Sequence, residues 1–312
     1  MSSPLPIHFA PMQGYTDAPY RNAHAALFGG IAAYYTPFIR LERGTFRTRD
    51  VRNADLTQNT GQHLIPQLIA RDAHEARTIV DKLTEMGHTE VDINMGCPYP
   101  MITNRGRGAA ILANPQQVAD VLNVVREHSS IGFSLKMRLG MEQPNECMTL
   151  LPIINDTPLR HVTMHPRVAG QLYDGKCNLD AFACFAEGCQ HPIIYNGDIA
   201  TIADIQRVAE QFPWLAGVMI GRGLLSNPAL AMEYAAGQAL APDELLRRIR
   251  QMHQQLLDHY SATLNGDAQV LAKMRPFWEY LLPEGNRKSK KRIARTTSLS
   301  AYKVAVAEML RG

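Results

Sequence analysis

Eight short apolar runs, each closed by a polar or glycine-rich turn, recur about every thirty residues along this chain, the period of β/α units. They are Ile7–Ala10, Ala33–Thr36, Ile65–Ile69, Val91–Asn94, Gly132–Met137, His161–His165, Pro192–Asn196 and Gly217–Ile220. Amphipathic helical patterns lie between them. Ala73–Met86 follows a capping Asp72, Pro115–Glu127 opens with a proline in its first turn, and Ile202–Gln211 and Pro228–Ala236 extend the alternation. Eight strands alternating with helices over about 235 residues predict an α/β chain folded as a (β/α)8 TIM barrel. A doubly wound open sheet is the alternative. It would carry a glycine-rich fingerprint after its first strand, and Ala10-Pro11-Met12-Gln13-Gly14 is not one.

After Ala241-Pro242 the pattern changes. Asp243–Leu264, Ala268–Leu282 and a segment from about Ser298 to Leu310 read as helices with no strand between them. The expected organisation is a barrel domain over residues 1–239 and an all-α helical domain over 240–312. Charge follows the same division. Residues 1–239 hold 19 Lys and Arg against 22 Asp and Glu, whereas residues 240–312 hold 13 against 7. A mildly acidic body with a basic tail points to a polyanionic partner met mainly by the tail.

With 46% apolar and 20% charged residues, the chain falls outside the disordered and membrane-spanning classes. No apolar run approaches the roughly 18 residues of a spanning helix. The amino-terminal residues Met1-Ser2-Ser3-Pro4-Leu5-Pro6 show neither a basic region nor a signal core, so a cytoplasmic location is expected. Five cysteines, an odd number, argue against a disulfide framework, and Cys184, Cys189 and His191 lack metal-site spacing, so no metal is expected.

In a barrel, chemistry sits at the carboxyl ends of the strands. Those ends carry Ala10-Pro11-Met12, Gln67, Asn94 with Cys97, Lys136 with Arg138, His165 with Arg167, Asn196-Gly197-Asp198 and Gly221-Arg222-Gly223. Glycines, a following helix and Arg222 at the last two ends predict a phosphate site. Lys136, inward-facing near the mouth, requires an anion or an acceptor. The Gln67 amide, donor and acceptor together, suits an imide edge. A planar, phosphate-bearing cofactor that gains negative charge near Lys136 fits, as reduced flavin mononucleotide does. Cys97, set between Gly96 and Pro98 just past a strand, reads as a functional thiol, since that context suits core packing poorly.

The set Ala10-Pro11-Met12, Pro66-Gln67-Leu68, Asp92-Ile93-Asn94-Met95-Gly96-Cys97-Pro98, Lys136-Met137-Arg138-Leu139-Gly140, His165, Asn196-Gly197-Asp198 and Ile220-Gly221-Arg222-Gly223 resembles the tRNA-dihydrouridine synthase family, in order and across the whole barrel. The helical tail is similar to that family's RNA-binding domain. The resemblance implies an FMN enzyme that takes electrons from NADPH and reduces selected tRNA uridines, with no membrane and no obligate protein partner. It implies FMN contacts from Ala10, Pro11, Met12, Gln67, Lys136, His165, Asn196, Gly197, Asp198, Gly221 and Arg222. Asn94 would hold the target uracil, and Cys97 would protonate C5 after hydride reaches C6. Arg40, Arg138, Arg167, Lys273, Arg275 and Arg295 would meet RNA. Two departures stand out: His165-Pro166-Arg167 has proline where glycine is frequent, and Tyr99-Pro100-Met101-Ile102 replaces a common Ser-Lys pair. Phe277, Trp278 and Tyr280 read as helix packing before base stacking. The rival readings are a small-molecule FMN barrel of the dihydroorotate dehydrogenase type and an RNA-binding protein with a relic barrel. The basic tail is superfluous for the first, and the second predicts a colourless protein.

Overall fold

The computed structural model describes residues 4–282 and 287–310. The barrel strands are β1 (Ile7–Phe9), β2 (Ala33–Tyr35), β3 in two halves (Leu64–Ile65 and Gln67–Leu68), β4 (Glu90–Met95), β5 (Gly132–Gly140), β6 (Leu159–Val168), β7 (Ile193–Tyr195) and β8 (Gly217–Ile220). Every neighbouring pair is parallel. The first half of β3 pairs with β2 and the second with β4, so the sheet closes on itself through β3. Pro66 divides that strand because it has no N–H to give the ladder, although its carbonyl still accepts from Asp92 N–H at 2.9 Å.

Alternation along the strands is inverted relative to a sandwich. On β5, Phe133, Leu135 and Met137 are buried outward under the helices, while Ser134, Lys136 and Arg138 take the other face, toward the axis. Register sets Gln67 beside Asp92, Asn94 beside Lys136, and Arg138 beside His165. The polar groups of the site are therefore strand residues on one rigid ring.

The structure corrects several boundaries. β5 and β6 run to Gly140 and Val168, past the expected Met137 and His165. The expected single helix Ala268–Leu282 is broken at Pro276 into Asp267–Met274 and Phe277–Tyr280, because proline cannot continue the hydrogen-bond ladder. The connection from β2 to β3 holds an antiparallel pair (Leu41–Glu42 with Thr45–Phe46) and a helix, Thr48–Ala54, that β/α alternation does not announce.

The tail helices Pro242–Thr263, Asp267–Met274, Phe277–Tyr280, Arg287–Arg295 and Leu299–Met309 pack on one another, and the first and third of them meet the barrel at helix Ala18–Leu27 after β1 and at Arg222–Ser226 after β8. Asp17 joins the two parts, accepting from Tyr260 Oη and from Lys273 Nζ, both at 2.7 Å. Inside the tail, Trp278 Nε1 donates to Tyr302 Oη, which bonds His253 Nε2, both at 2.8 Å. The apolar residues of tail and barrel form one continuous cluster. No helix among the described residues is long and apolar enough to cross a membrane.

Burial lowers the pKa of His24 and His253 to about 4 and that of His8 to about 3. The unfolded chain takes up protons near pH 6.5 that these folded imidazoles refuse. Stability is therefore complete above about pH 6.5 and falls as pH drops toward 4, on the order of 3 kcal/mol for each fully buried imidazole. Urea midpoints measured from pH 7.5 to 4.5 are expected to decline steadily across that window.

Candidate active site

β4 delivers the thiol. Its Asn94 side chain turns back, and Oδ1 accepts from the N–H groups of Gly96 (3.0 Å) and Cys97 (2.9 Å). The Cys97 carbonyl accepts from Ala109 N–H at 3.0 Å. Gly108, at φ +62°, lies so close that a Cβ there would sit 2.6 Å from that carbonyl. Arg107 anchors the same loop through a buried ion pair with Glu75 and a 3.0 Å bond to the Leu41 carbonyl. Contrary to the sequence expectation, Cys97 does pack, half-buried against Phe38, Ile69 and Ile102. Burial pushes its pKa up, against the pull of Tyr99 N–H and the fields of Arg138, Lys136 and Arg40. A thiol so placed stays protonated at neutral pH.

Beneath it runs a chain of polar groups. Ser134 Oγ donates to Asp92 Oδ1 (2.5 Å), Gln67 Nε2 to Asp92 Oδ2 (2.7 Å), and Asn94 Nδ2 to Gln67 Oε1 (2.8 Å). Both amides are thus largely committed inside the protein, and each keeps one N–H for anything entering the mouth. Asp92 is fully buried, and burial raises its pKa to about 6 against the Gln67 and Ser134 hydrogen bonds and the Lys136 charge. Lys136 is lowered to about 8 by burial and the neighbouring Arg138, so it remains mostly cationic at neutral pH. Asp92 and Ser134 were not among the sequence candidates. The period-two spacing of Asp92 from Asn94 was the available signal.

The other end of the site is built by β6, β7 and β8. Arg167, 1% exposed, reaches His165 Nε2 (3.0 Å), Cys177 Sγ (3.3 Å), the Gly175 carbonyl (2.7 Å) and Asp198 Oδ2 (2.5 Å). A guanidinium only donates, so His165 carries its proton on Nδ1. Burial, then the fields of Arg138, Lys136, Arg167 and Arg222, holds this imidazole well below its usual pKa and therefore neutral. Asn196 Nδ2 donates to the Met219 carbonyl at 2.8 Å, and Ala10 N–H to the Ile220 carbonyl at 2.9 Å. Pro11 and Met12 follow on a turn held by Thr16, whose Oγ1 accepts from Met12 N–H at 2.9 Å. A Cβ on Gly221 would meet Met12 Sδ at 3.0 Å, and one on Gly223 the Ile199 carbonyl at 2.2 Å, so the β8 end touches the turn after β1 through Gly221 and the segment after β7 through Gly223. The helix after Gly221 is a single turn, Arg222–Ser226, shorter than a phosphate site at a helix end suggests. Arg222 stacks over the Tyr173 ring at 4.6 Å and approaches Asp198 at 3.7 Å.

Gly197 is needed for packing: a Cβ there would lie 2.5 Å from Cys177 Sγ. Gly197→Ala is expected to lower stability by about 1–3 kcal/mol, the range for overpacking, and Cys177→Ala in the same chain to restore most of it. Denaturant melts of the single and double variants check this.

The residues fit an elongated ligand with an anion at each end. Lys136 stands on β5 with the Asn94 and Gln67 amides on the neighbouring β4 and β3, the neutral His165 is on β6, and the half-exposed Arg222 lies just past β8. The dihydrouridine synthase (Dus) family matches residues 8–302 of this sequence. The chain belongs to that family.

Among the relatives of this family member is a probable tRNA-dihydrouridine synthase of Rhodobacter capsulatus, 28% identical and covering 83% of this chain and 80% of its own. The tRNA-dihydrouridine synthase B of Pasteurella multocida is 28% identical over 72% and 67%. The tRNA-dihydrouridine(16) synthase of Ralstonia nicotianae is 26% identical over 75% and 74%. In fold, the chain is similar to morphinone reductase, with a TM-score of 0.54 at 12% identity over 78% of this chain and 90% of that one.

Within this Dus chain, the residues expected to meet RNA fall into different settings. Arg138 and Arg167 are buried, Arg138 donating to the Val168 carbonyl at 3.1 Å. Arg40 pairs with Glu42, Lys273 with Asp17, and Arg275 with the Thr296 carbonyl. Arg295 is exposed on the basic helix Arg287–Arg295. Trp278 is 2% exposed and packs, while Tyr280 contacts the Tyr15 ring at 5.4 Å. Sequence reasoning missed Tyr173, which lies between Tyr99, His165, Arg138 and Arg222. Nothing in its local sequence marks it. β6 continues through Pro166, but its register with β5 slips by one residue between His165 and Val168, and the Pro166 carbonyl accepts from Asn178 N–H at 2.7 Å.

Proposed function

We propose that this chain reduces uridines of tRNA to 5,6-dihydrouridine, with FMN as its flavin and NADPH as the electron donor. Membership of the dihydrouridine synthase family supports the reaction, and the relatives are named for tRNA as the molecule they act on. When bound, FMN supplies the hydride that goes to uracil C6. The chain's own part is to hold the base, to supply a proton at C5 and to carry the negative charge of reduction. Cys97 gives that proton from Sγ and is reprotonated from solvent. Lys136 offsets charge at the deep end of the site, and Arg222 with the first-turn N–H groups after Gly221 takes the phosphate. Asn94 and Gln67 each offer one amide N–H to a flat heterocycle. The uridine has to leave its stack to reach this depth. The basic helix Arg287–Arg295 offsets that cost with phosphate contacts.

The observation that carries this reading is the neutral Cys97 thiol on a pinned loop beside the Lys136 cation at a barrel mouth. Dihydrouridine mapping in tRNA from cells with and without the gene, together with the absorbance spectrum of the purified protein, is the test. A flavin spectrum and loss of one or more dihydrouridines on deletion are expected. A colourless protein, or an unchanged dihydrouridine map, overturns the proposal.

A further inference from the structure

The body of the chain is mildly acidic, yet residues 40–52 hold Arg40, Arg43, Arg47, Arg49 and Arg52 against only Glu42 and Asp50. The fold gathers most of this charge at one edge of the mouth. The strand pair Leu41–Glu42 and Thr45–Phe46 abuts the Cys97 loop, fastened by Arg107 to the Leu41 carbonyl. The two acids are met from inside: Arg40 and Arg47 reach Glu42 at 2.5 and 3.5 Å, and Arg47 reaches Asp50 at 3.9 Å. Asp50 is buried, and Arg49 approaches it at 3.5 Å while leaving 64% of its side chain exposed. Arg43 projects from the hairpin tip at φ +51°, fully on the surface. Arg105 joins the group from the Cys97 loop, where its field acts on Glu42. Arginines outnumber the two acids on this edge, and Arg43, Arg49 and Arg105 present that charge to solvent, Arg49 while also pairing with Asp50.

The same loop exposes apolar surface where a soluble protein gains nothing from it. Tyr99 is 48% and Met101 68% exposed, on the short helix Pro100–Thr103 and its cap. Tyr99 is two residues from the thiol, its N–H faces that sulfur, and its ring touches Tyr173 across the mouth at 6.4 Å. A nucleotide joined to a base at Cys97 must pass this ring. Guanidinium groups beside an exposed aromatic ring match a single-stranded nucleic acid, which offers a phosphate and a base face at every step.

We propose that Arg43, Arg49, Arg105, Tyr99 and Met101 form a second RNA-contacting shelf, separate from the basic tail, that holds the single-stranded nucleotides flanking the target uridine. The arginines take phosphates and Tyr99 stacks on the neighbouring base. The proposal rests on the tRNA reading given above and adds to it where the substrate is gripped.

The test uses the full-length flavoprotein and a tRNA substrate, with affinity measured across a salt series. Arg43→Ala/Arg49→Ala/Arg105→Ala is expected to reduce the slope of log affinity against log salt by about 2–3, close to one per lost phosphate contact. Tyr99→Ala is expected to weaken tRNA binding about 5- to 150-fold, the range of one lost stacking contact, while Tyr99→Phe and Tyr99→Trp keep parental affinity. Flavin content and NADPH-driven flavin reduction should match the parent in all of them. An unchanged salt slope in the triple variant overturns the proposal, as it would if the shelf covered a protein surface instead. Tyr99→Phe as weak as Tyr99→Ala would also overturn it, because the hydroxyl and not the ring would then be the contact. A parent that neither binds nor reduces tRNA defeats the underlying function; an active parent with unaffected variants defeats the shelf alone.

Discussion

Cys97→Ala is expected to cut dihydrouridine formation about 10²–10⁴-fold, the contribution of one positioned acid, while flavin content and flavin reduction by NADPH stay at parental values. The separation follows from where the thiol sits. Sγ lies on the loop after β4, packed on Phe38, Ile69 and Ile102, whereas the groups assigned to the cofactor stand at the ends of β1, β3 and β5 to β8. Alanine fills most of the same apolar seat, and the pins at Asn94 Oδ1 and Ala109 N–H act on backbone that remains. The pH profile carries the sign. The proton must be present, and burial raises the thiol's pKa, so activity through this group is level from acid to neutral pH. It falls only as pH rises through the raised pKa. Single-turnover oxidation of the reduced enzyme by tRNA, measured from pH 6 to 10, checks both statements. Parental turnover in Cys97→Ala would remove the thiol from the chemistry.

Arg167→Ala is expected to be the most damaging single change to the phosphate end, costing about 1–3 kcal/mol, the range for leaving buried hydrogen-bond acceptors without their donor. The guanidinium ties together His165, Asp198 and the chain segment at Gly175 and Cys177. Without it the Asp198 carboxylate loses its buried partner, and two imidazole and carbonyl acceptors are left unpaired. Asp198 is held at φ +46°, a conformation a non-glycine residue keeps only when its surroundings insist. Its release would disorder the wall beside Arg222, so flavin should be retained poorly, with a flavin-to-protein ratio well under that of the parent. Arg167→Lys should rescue little, because one ammonium cannot span four acceptors in a plane. Urea midpoints and flavin content report the two effects separately. Parental values for both in Arg167→Ala would show that the clamp is dispensable.

The sequence by itself determined the barrel, its eight strands in order and the thiol. Those features are written in local chemistry: period-two and helical patterning, Gly96 and Pro98 ending a strand, and glycines where chains must touch. What only the tertiary structure decided is how the strand-end residues divide their bonds. Gln67 and Asn94 stand as strand amides in the ring, but each spends most of its hydrogen bonds on the other, on Asp92 and on the Cys97 loop. Lys273 is expected from the resemblance to meet RNA, yet Asp17, over 250 positions away, pairs with it. Tyr173 and the arginine-rich hairpin carry no motif at all, and they matter because loops from distant strands end at the same rim. Periodicity fixes which face a side chain takes. Only the closed ring of strands fixes which other side chains it meets there, and those meetings set protonation, pairing and exposure.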